Sequence, residues 1–248
     1  MIDMERNSIK ALILCEGETD QILIGSYMEG TGNWKYVMEG MKEFPGEKIL
    51  CYRKQNGQRI GIWKAGGCSF RDIVSKVAYR DYHDPIIENL IVVTDNDNID
   101  ESSARIQSIA DTLKKQLKTH KIKGEDIDNQ WAKISFSNDF GSYDLNVYCL
   151  LVPINDIGAL ETFMMNAISE KSDEKAEVID QVKAFVKDFK SERYLRHRRE
   201  KIKAELGIAL SIFSPDRIFT TMKEIIDDVE WSELATAHEQ FKVLDEMN

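Results

Sequence analysis

The chain has 248 residues, of which 42% are hydrophobic and 31% are charged, and its formal net charge is −10 at pH 7. This length suits one large α/β domain, or a domain of about 150 residues with a helical extension, and the composition excludes a disordered or low-complexity protein. The acidic balance excludes adhesion to nucleic acid through bulk charge, so any such contact needs a local basic patch.

The first part of the chain alternates between strand and helix signals. The apolar run Ile9–Cys15 ends in Glu-Gly and is followed by a helical period over Thr19–Met28. Two strand-like runs, Ile49–Lys54 and Arg59–Lys64, flank an Asn-Gly pair, which predicts a β-hairpin. A further helix is expected over Ser69–Tyr79, after a pair of glycines.

The alternation continues with a strand over Asn89–Thr94, whose unbroken Leu-Ile-Val-Val core is typical of a strand covered on both faces. An amphipathic helix is predicted over Glu101–Leu117. Two more strands are predicted over Trp131–Phe136 and Asn146–Val152, with the polar segment Ser137–Asp144 separating them. Strands that alternate with helices indicate βαβ crossovers and a mostly parallel sheet flanked by helices.

The pattern changes at Gly158, after which apolar residues recur at helical spacing with no convincing strand. We therefore predict an α/β domain over residues 1–157 and an all-helical extension over residues 158–248 that packs on it.

Two acidic turns begin where predicted strands stop, at Glu16–Asp20 and at Asp95–Asn98. Ligands of such sheets bind beyond the carboxyl ends of the strands, so we expect the two turns to meet at one edge. Carboxylates brought together repel one another unless a cation relieves them, and Mg²⁺ prefers hard oxygen ligands of this kind. The pattern predicts a magnesium site built from Glu16, Asp95 and Asp97, at which Mn²⁺ is also possible.

The two acidic turns also carry a family resemblance. The segment Leu12–Asp20 resembles the first motif of the TOPRIM domain, an apolar strand ending in Glu-Gly-x-x-Asp, and Ile91–Asp97 resembles its Asp-x-Asp motif. The chain is similar in layout to small, stand-alone TOPRIM-related prokaryotic proteins, although the hairpin around Asn56 departs from the compact TOPRIM core. The resemblance implies a TOPRIM-like sheet in which Glu16 is a general acid/base or metal ligand and Asp95 and Asp97 hold magnesium.

Two further acids are candidates with two interpretations each. Asp20 matches the second acid of the first motif, but a carboxylate in the first turn of a helix is also a routine partner of the helix dipole. Glu161 is either an acid that completes a two-metal arrangement or an ordinary N-terminal glutamate of a helix after Gly158.

The strongest basic patch is the segment Lys190–Lys203, which carries a local charge of +5. Within it, Arg193, Arg196, Arg199 and Lys203 are candidates for contact with a phosphate backbone, because the last three recur at helical spacing. The alternative is a solvated helix face that pairs with the acidic remainder of the protein.

These features lead to two functional hypotheses. The first is a magnesium-dependent nuclease of TOPRIM type that acts on DNA or RNA, with Glu16 activating water. The second is a non-catalytic module that keeps the fold and binds metal, nucleic acid or a protein partner, the last through its helical end. With no apolar run near the roughly 18 residues of a bilayer span and no signal-peptide pattern, we expect a cytoplasmic protein with no membrane partner.

Overall fold

A mixed β-sheet forms the centre of the protein. The computed structural model describes residues 9–38, 40–41, 43–65, 70–78, 87–96, 98–119, 122–190, 193–217, 226 and 229–247. The strands in these ranges are β1 (Ile9–Cys15), β2 (Lys35–Val37), β3 (Ile49–Arg53), β4 (Arg59–Lys64), β5 (Ile87–Asp95), β6 (Ala132–Asn138) and β7 (Gly141–Val152).

Helices surround the sheet and make up the C-terminal part of the chain. Those in the described ranges are α1 (Glu18–Thr31), α2 (Phe70–Ala78), α3 (Ile99–Gln116), α4 (Gly124–Ile127), α5 (Leu160–Glu170), α6 (Asp173–Asp188), α7 (Arg198–Phe213), α8 (Ala235–Gln240) and α9 (Lys242–Asp245). None of the helices described is long and apolar enough to cross a membrane.

The strand order is β2-β3-β4-β1-β5-β7-β6, and the four central strands run parallel. The outer strands β2, β3 and β6 pair antiparallel with their neighbours. The carboxyl ends of the four parallel strands therefore share one edge of the sheet, where ligands of α/β proteins bind. The predicted α/β fold, with a mostly parallel sheet flanked by helices and a helical C-terminal part, is confirmed.

The sheet is buried on both faces, which explains the unalternating apolar pattern of its central strands. In β1, Ala11 and Ile13 point into a hydrophobic cluster with α1 and the helices that follow Gly158. Leu12 and Leu14 point into a second cluster with α2, α3 and α4.

The helical end is joined to the sheet layer by buried polar contacts as well as by this shared cluster. The indole Nε1 of Trp231 donates to Ser26 Oγ of α1 at 3.0 Å. The side-chain amide of Gln240 donates to the carbonyl oxygen of Leu151 at 2.8 Å. The helices after Gly158 thus cover one face of the sheet, and the division of the chain at residue 158 stays a prediction.

Two predictions differ from the structure, and one strand was not predicted. The hairpin of β3 and β4 is confirmed, but the segment Ser137–Asp144 is wrong as a separating loop, because β6 and β7 run through it and turn at Asp139 and Phe140. The basic segment is not one helix, because α7 begins only at Arg198. The short strand β2 had no sequence signal that we recognised.

Candidate active site

A cavity of about 520 Å³ opens at the carboxyl ends of β1 and β5. Four acidic side chains line it, and so do three basic ones. The acidic residues are Glu16, Asp20, Asp95 and Glu161, and the basic residues are Arg105, Arg199 and Lys203. Its remaining wall is largely apolar, with contributions from β1, β5, α2, α3 and α5.

Backbone pairing explains why residues far apart in sequence meet here. Because β1 and β5 are parallel neighbours, the chain leaves Cys15 and Asp95 at the same edge of the sheet. After β5, the backbone N–H of Asn96 donates to Val152 O at 2.9 Å, and the N–H of Gly158 donates to Asn96 O at 2.8 Å. This isolated bridge holds the start of α5 beside the end of β5, which brings Glu161 into the cavity.

The guanidinium of Arg199 lies between the two carboxylates that were predicted to bind metal. Its Nη2 is 3.4 Å from Glu16 Oε2 and 3.7 Å from Asp95 Oδ2. Burial lowers the pKa of Arg199, but the negative charges of Asp95 and Glu16 outweigh it, so that the net shift is upward. Glu16 and Asp95 therefore face a common point at which the structure holds a positive charge.

A second arginine is fixed more firmly at the same edge. Arg105, on α3, donates from Nη1 to Thr94 Oγ1 at 2.9 Å and to the backbone oxygen of Asp95 at 3.2 Å. The same nitrogen is 3.6 Å from Glu16 Oε1. These contacts hold its positive charge against the end of β5.

Asp20 lines the cavity from the first turn of α1. Its Oδ2 accepts a hydrogen bond from the backbone N–H of Gly17 at 2.6 Å. Burial, together with the negative charges of Glu16 and Glu161, raises the pKa of Asp20 to about 6, although the Gly17 N–H and Arg199 act in the opposite direction. Asp20 is thus both a capping residue of α1 and a member of the acidic group.

Glu161 and Lys203 close the side of the cavity formed by α5 and α7. The Lys203 Nζ is 3.9 Å from Glu161 Oε1, and the Glu161 side chain is 15% exposed. Beneath the site, burial and then the carboxylates of Asp20 and Glu16 raise the pKa of the Cys15 thiol, which argues against Cys15 as a nucleophile.

Six predicted site residues line the cavity, and they come from four separate segments of the chain. They are Glu16, Asp20, Asp95, Glu161, Arg199 and Lys203. Asp97 lies outside the described residues. Neither Arg193 nor Arg196 is among the residues that line the cavity.

The predicted helical spacing of Arg196, Arg199 and Lys203 is wrong in one respect. Arg196 precedes α7 and belongs to a non-helical segment, so only Arg199 and Lys203 share a helix face. The sequence analysis did not identify Arg105 as a site residue. The only sequence signal for it is its position on α3, within two helical turns of the end of the acidic segment Asp95–Asn98.

The donor set suits a hard cation but is incomplete in the described part of the chain. All four acidic residues offer carboxylate oxygens, the ligand type that Mg²⁺ prefers. No cluster of three or more His, Cys, Asp or Glu side chains that could hold a metal ion occurs among the residues with described positions. In charge, Glu16 and Asp95 nevertheless suit a cation, because the guanidinium of Arg199 contacts both of them.

Comparison with known proteins gives a family but no activity. The model of a family described as "Protein of unknown function (DUF3226)" matches residues 10–243. No curated protein matches the sequence. Among solved structures, the hypothetical protein PH0156 from Pyrococcus horikoshii OT3 is 15% identical, with coverage of 97% of this chain and 99% of that one and a TM-score of 0.44.

Proposed function

This chain belongs to the DUF3226 family, whose function is unknown, and we propose from its site that it is a magnesium-dependent enzyme of TOPRIM type that hydrolyses nucleic-acid phosphodiesters. Its substrate is DNA or RNA, and Mn²⁺ is an alternative cofactor. Glu16, Asp95 and Asp97 would hold the ion.

The observation that carries the proposal is the convergence of Glu16 and Asp95 around one positive charge. Glu16 directly follows β1 and Asp95 ends the neighbouring parallel strand β5, and both lie within 3.7 Å of the same guanidinium nitrogen. The order along the chain, a glutamate after the first strand and an aspartate at the end of a later strand beside it, supports the TOPRIM resemblance.

Glu16 would have two roles, because one of its carboxylate oxygens can bind the ion while the other accepts a proton. Glu16, whose side chain is 46% exposed, is accessible enough to take a proton from an attacking water. Asp95, whose side chain is 16% exposed, is the more buried ion ligand. Arg105 and Lys203 would neutralise the phosphate that enters beside them. A bound magnesium ion would supply Lewis-acid stabilisation of the phosphoryl oxygens.

Hydrolysis of single- and double-stranded DNA and RNA, measured with Mg²⁺ or Mn²⁺, tests the proposal. Glu16→Gln and Asp95→Asn should each lower the rate by about 100-fold or more, since each removes a group that acts at the reacting phosphate. Glu18→Gln is the matched control, because Glu18 is 74% exposed, pairs with Lys64 and does not line the cavity. Equal rates in all four proteins would refute the proposed activity.

A non-catalytic binding module is the second candidate, and the position of Arg199 favours it. A site whose carboxylates are neutralised by the protein's own guanidinium does not require a metal for its stability. Under this alternative, calorimetry would detect binding of magnesium, nucleic acid or a protein partner without any cleavage. Magnesium binding that is accompanied by metal-dependent cleavage would exclude it.

A further inference from the structure

Arg199 occupies the position that the proposed function assigns to a metal ion. We propose that Arg199 is a tethered counter-ion: an entering divalent cation displaces it from Glu16 and Asp95, and the freed guanidinium then binds a phosphate oxygen of the substrate. Metal binding and phosphate binding at this cavity are therefore coupled through one side chain. This inference rests on the proposed function and deepens it.

The contacts of the Arg199 side chain with Glu16 and Asp95 are weak enough for this side chain to move away from them. Its distances of 3.4 and 3.7 Å to the two carboxylates exceed the 2.7–2.9 Å typical of strong charge-assisted hydrogen bonds. Its side chain is 63% exposed, so the pair is screened by solvent and is weak. Arg105, in contrast, is held by Thr94 and by the backbone of Asp95, and it stays in place when the site is loaded.

The position of Arg199 within α7 also argues against a purely structural role. The helix begins at Arg198, so Arg199 lies in its first turn, where the helix dipole disfavours a cation. The carboxylates of Glu16 and Asp95 offset this effect. Arg199 neutralises Glu16 and Asp95 and does not stabilise its own helix, so another cation can easily replace it at these carboxylates.

The charge of the cavity gives the exchange its direction. With Arg199 in place, four carboxylates face three basic side chains among the described residues that line the cavity, so the charges of these residues nearly balance. A divalent ion that binds Glu16 and Asp95 adds two positive charges to the site and releases a guanidinium beside it, and both changes favour a phosphodiester. Lys203 is four residues further along α7, on the same helix face, and lines the same cavity, so the two side chains can reach one phosphate.

Calorimetric titration of the full chain with Mg²⁺ alone tests the first step. Arg199→Gln should bind Mg²⁺ about tenfold more tightly than the wild type, because the ion no longer competes with a charge at 3.4–3.7 Å. Arg199→Lys, which keeps the charge, should remain close to the wild type. Arg198→Gln removes the same charge from the adjacent residue, which does not line the cavity, and should change the affinity by about twofold or less.

Binding of a labelled single-stranded DNA tests the second step, with Ca²⁺ in place of Mg²⁺ because Ca²⁺ also takes oxygen ligands. Arg199→Gln should bind this DNA about tenfold more weakly, since the phosphate loses a charge-assisted contact. The same substitution would thus strengthen ion binding and weaken phosphate binding. A role in stability alone does not produce this opposition.

The outcomes separate this inference from the proposed function. Mg²⁺ affinity that is unchanged or weaker in Arg199→Gln overturns the counter-ion role. If Asp95→Asn loses Mg²⁺ binding in the same experiment, the proposed metal site is still supported. Mg²⁺ binding in Arg199→Gln but not in the wild type supports the inference. Absence of Mg²⁺ binding in every variant overturns both. DNA affinity that is equal in the wild type and Arg199→Gln, or absent from both, overturns the phosphate-binding step.

Discussion

Substitution of Asp20 measures directly how much a carboxylate in the acidic cavity lowers the free energy of unfolding. We consider the substitution Asp20→Asn, which preserves the shape of the side chain and an oxygen that can accept the Gly17 N–H. The change removes only the negative charge that lies near Glu16 and Glu161. We expect the variant to be more stable than the wild type at neutral pH and equally stable in acid.

The size and sign of the effect follow from the pKa of Asp20. Burial, Glu16 and Glu161 raise it from the ordinary value of 3.8 to about 6 in the folded protein. Because the folded pKa is the higher one, the group's stabilising contribution is fully present below the unfolded pKa and is lost as the pH rises through about 6. Because the pKa is raised by about two units, the ionised carboxylate lowers the free energy of unfolding by about 3 kcal/mol at neutral pH.

Urea unfolding in the presence of EDTA, at several values between about pH 4 and about pH 8, measures this difference. The gap between Asp20→Asn and the wild type should open across that interval to about 3 kcal/mol. Asp188→Asn, at an exposed position at the end of α6, is the control and should not open such a gap. Parallel pH curves for Asp20→Asn and the wild type would refute the electrostatic account of Asp20.

Two further substitutions test how the helical end and the sheet support this site. Tyr27→Phe should lower the free energy of unfolding by about 2 kcal/mol, because the buried Tyr27 hydroxyl donates to Asp245 at 2.8 Å and that carboxylate would lose a partner. Gly25→Ala should lower it by about 1–3 kcal/mol, because the added Cβ would lie 1.9 Å from the hydroxyl of the buried Tyr52. Thermal or urea unfolding measures both changes.

Each of these substitutions has a matched control in the same fold. Tyr36→Phe changes a half-exposed ring on the edge strand β2 and should alter stability by less than about 0.5 kcal/mol. Gly207→Ala, in α7, has nothing within 4 Å of the new Cβ and should stabilise the helix by about 0.5–1 kcal/mol. Changes in Tyr27→Phe or Gly25→Ala as small as those of Tyr36→Phe would contradict the packing described for α1.

The sequence predicted the sheet edge better than it predicted the cavity. The Glu16 and Asp95 turns were predictable because parallel strands with unbroken apolar cores place their carboxyl ends together. That argument needs only the local pattern of two strands, and the structure brings the two turns to one edge.

The basic residues of the cavity were less predictable because their positions depend on tertiary packing. Arg199 is 183 residues from Glu16, and no periodicity in α7 indicates which helix face meets the sheet. The long hairpin of β6 and β7 was missed for a different reason: its solvent-facing polar residues, such as Ser137 and Ser142, form a hydrogen-bonded pair between strands rather than a loop. A polar segment of an antiparallel edge is hard to distinguish from a turn.

The charged groups of the cavity differ from a structural ion pair elsewhere in the same chain. Arg59 and Glu43 approach to 2.6 Å, and their side chains are only 12% and 13% exposed, as is typical of a pair that serves packing. The Arg199 contact with Glu16 is longer, and both side chains are about half exposed or more, beside a cavity of about 520 Å³. Charges that are loosely paired and accessible keep their capacity to bind a further ion, whereas tightly paired and covered charges do not. The same chain thus contains both arrangements, and only the one at the carboxyl ends of the strands leaves room for a ligand.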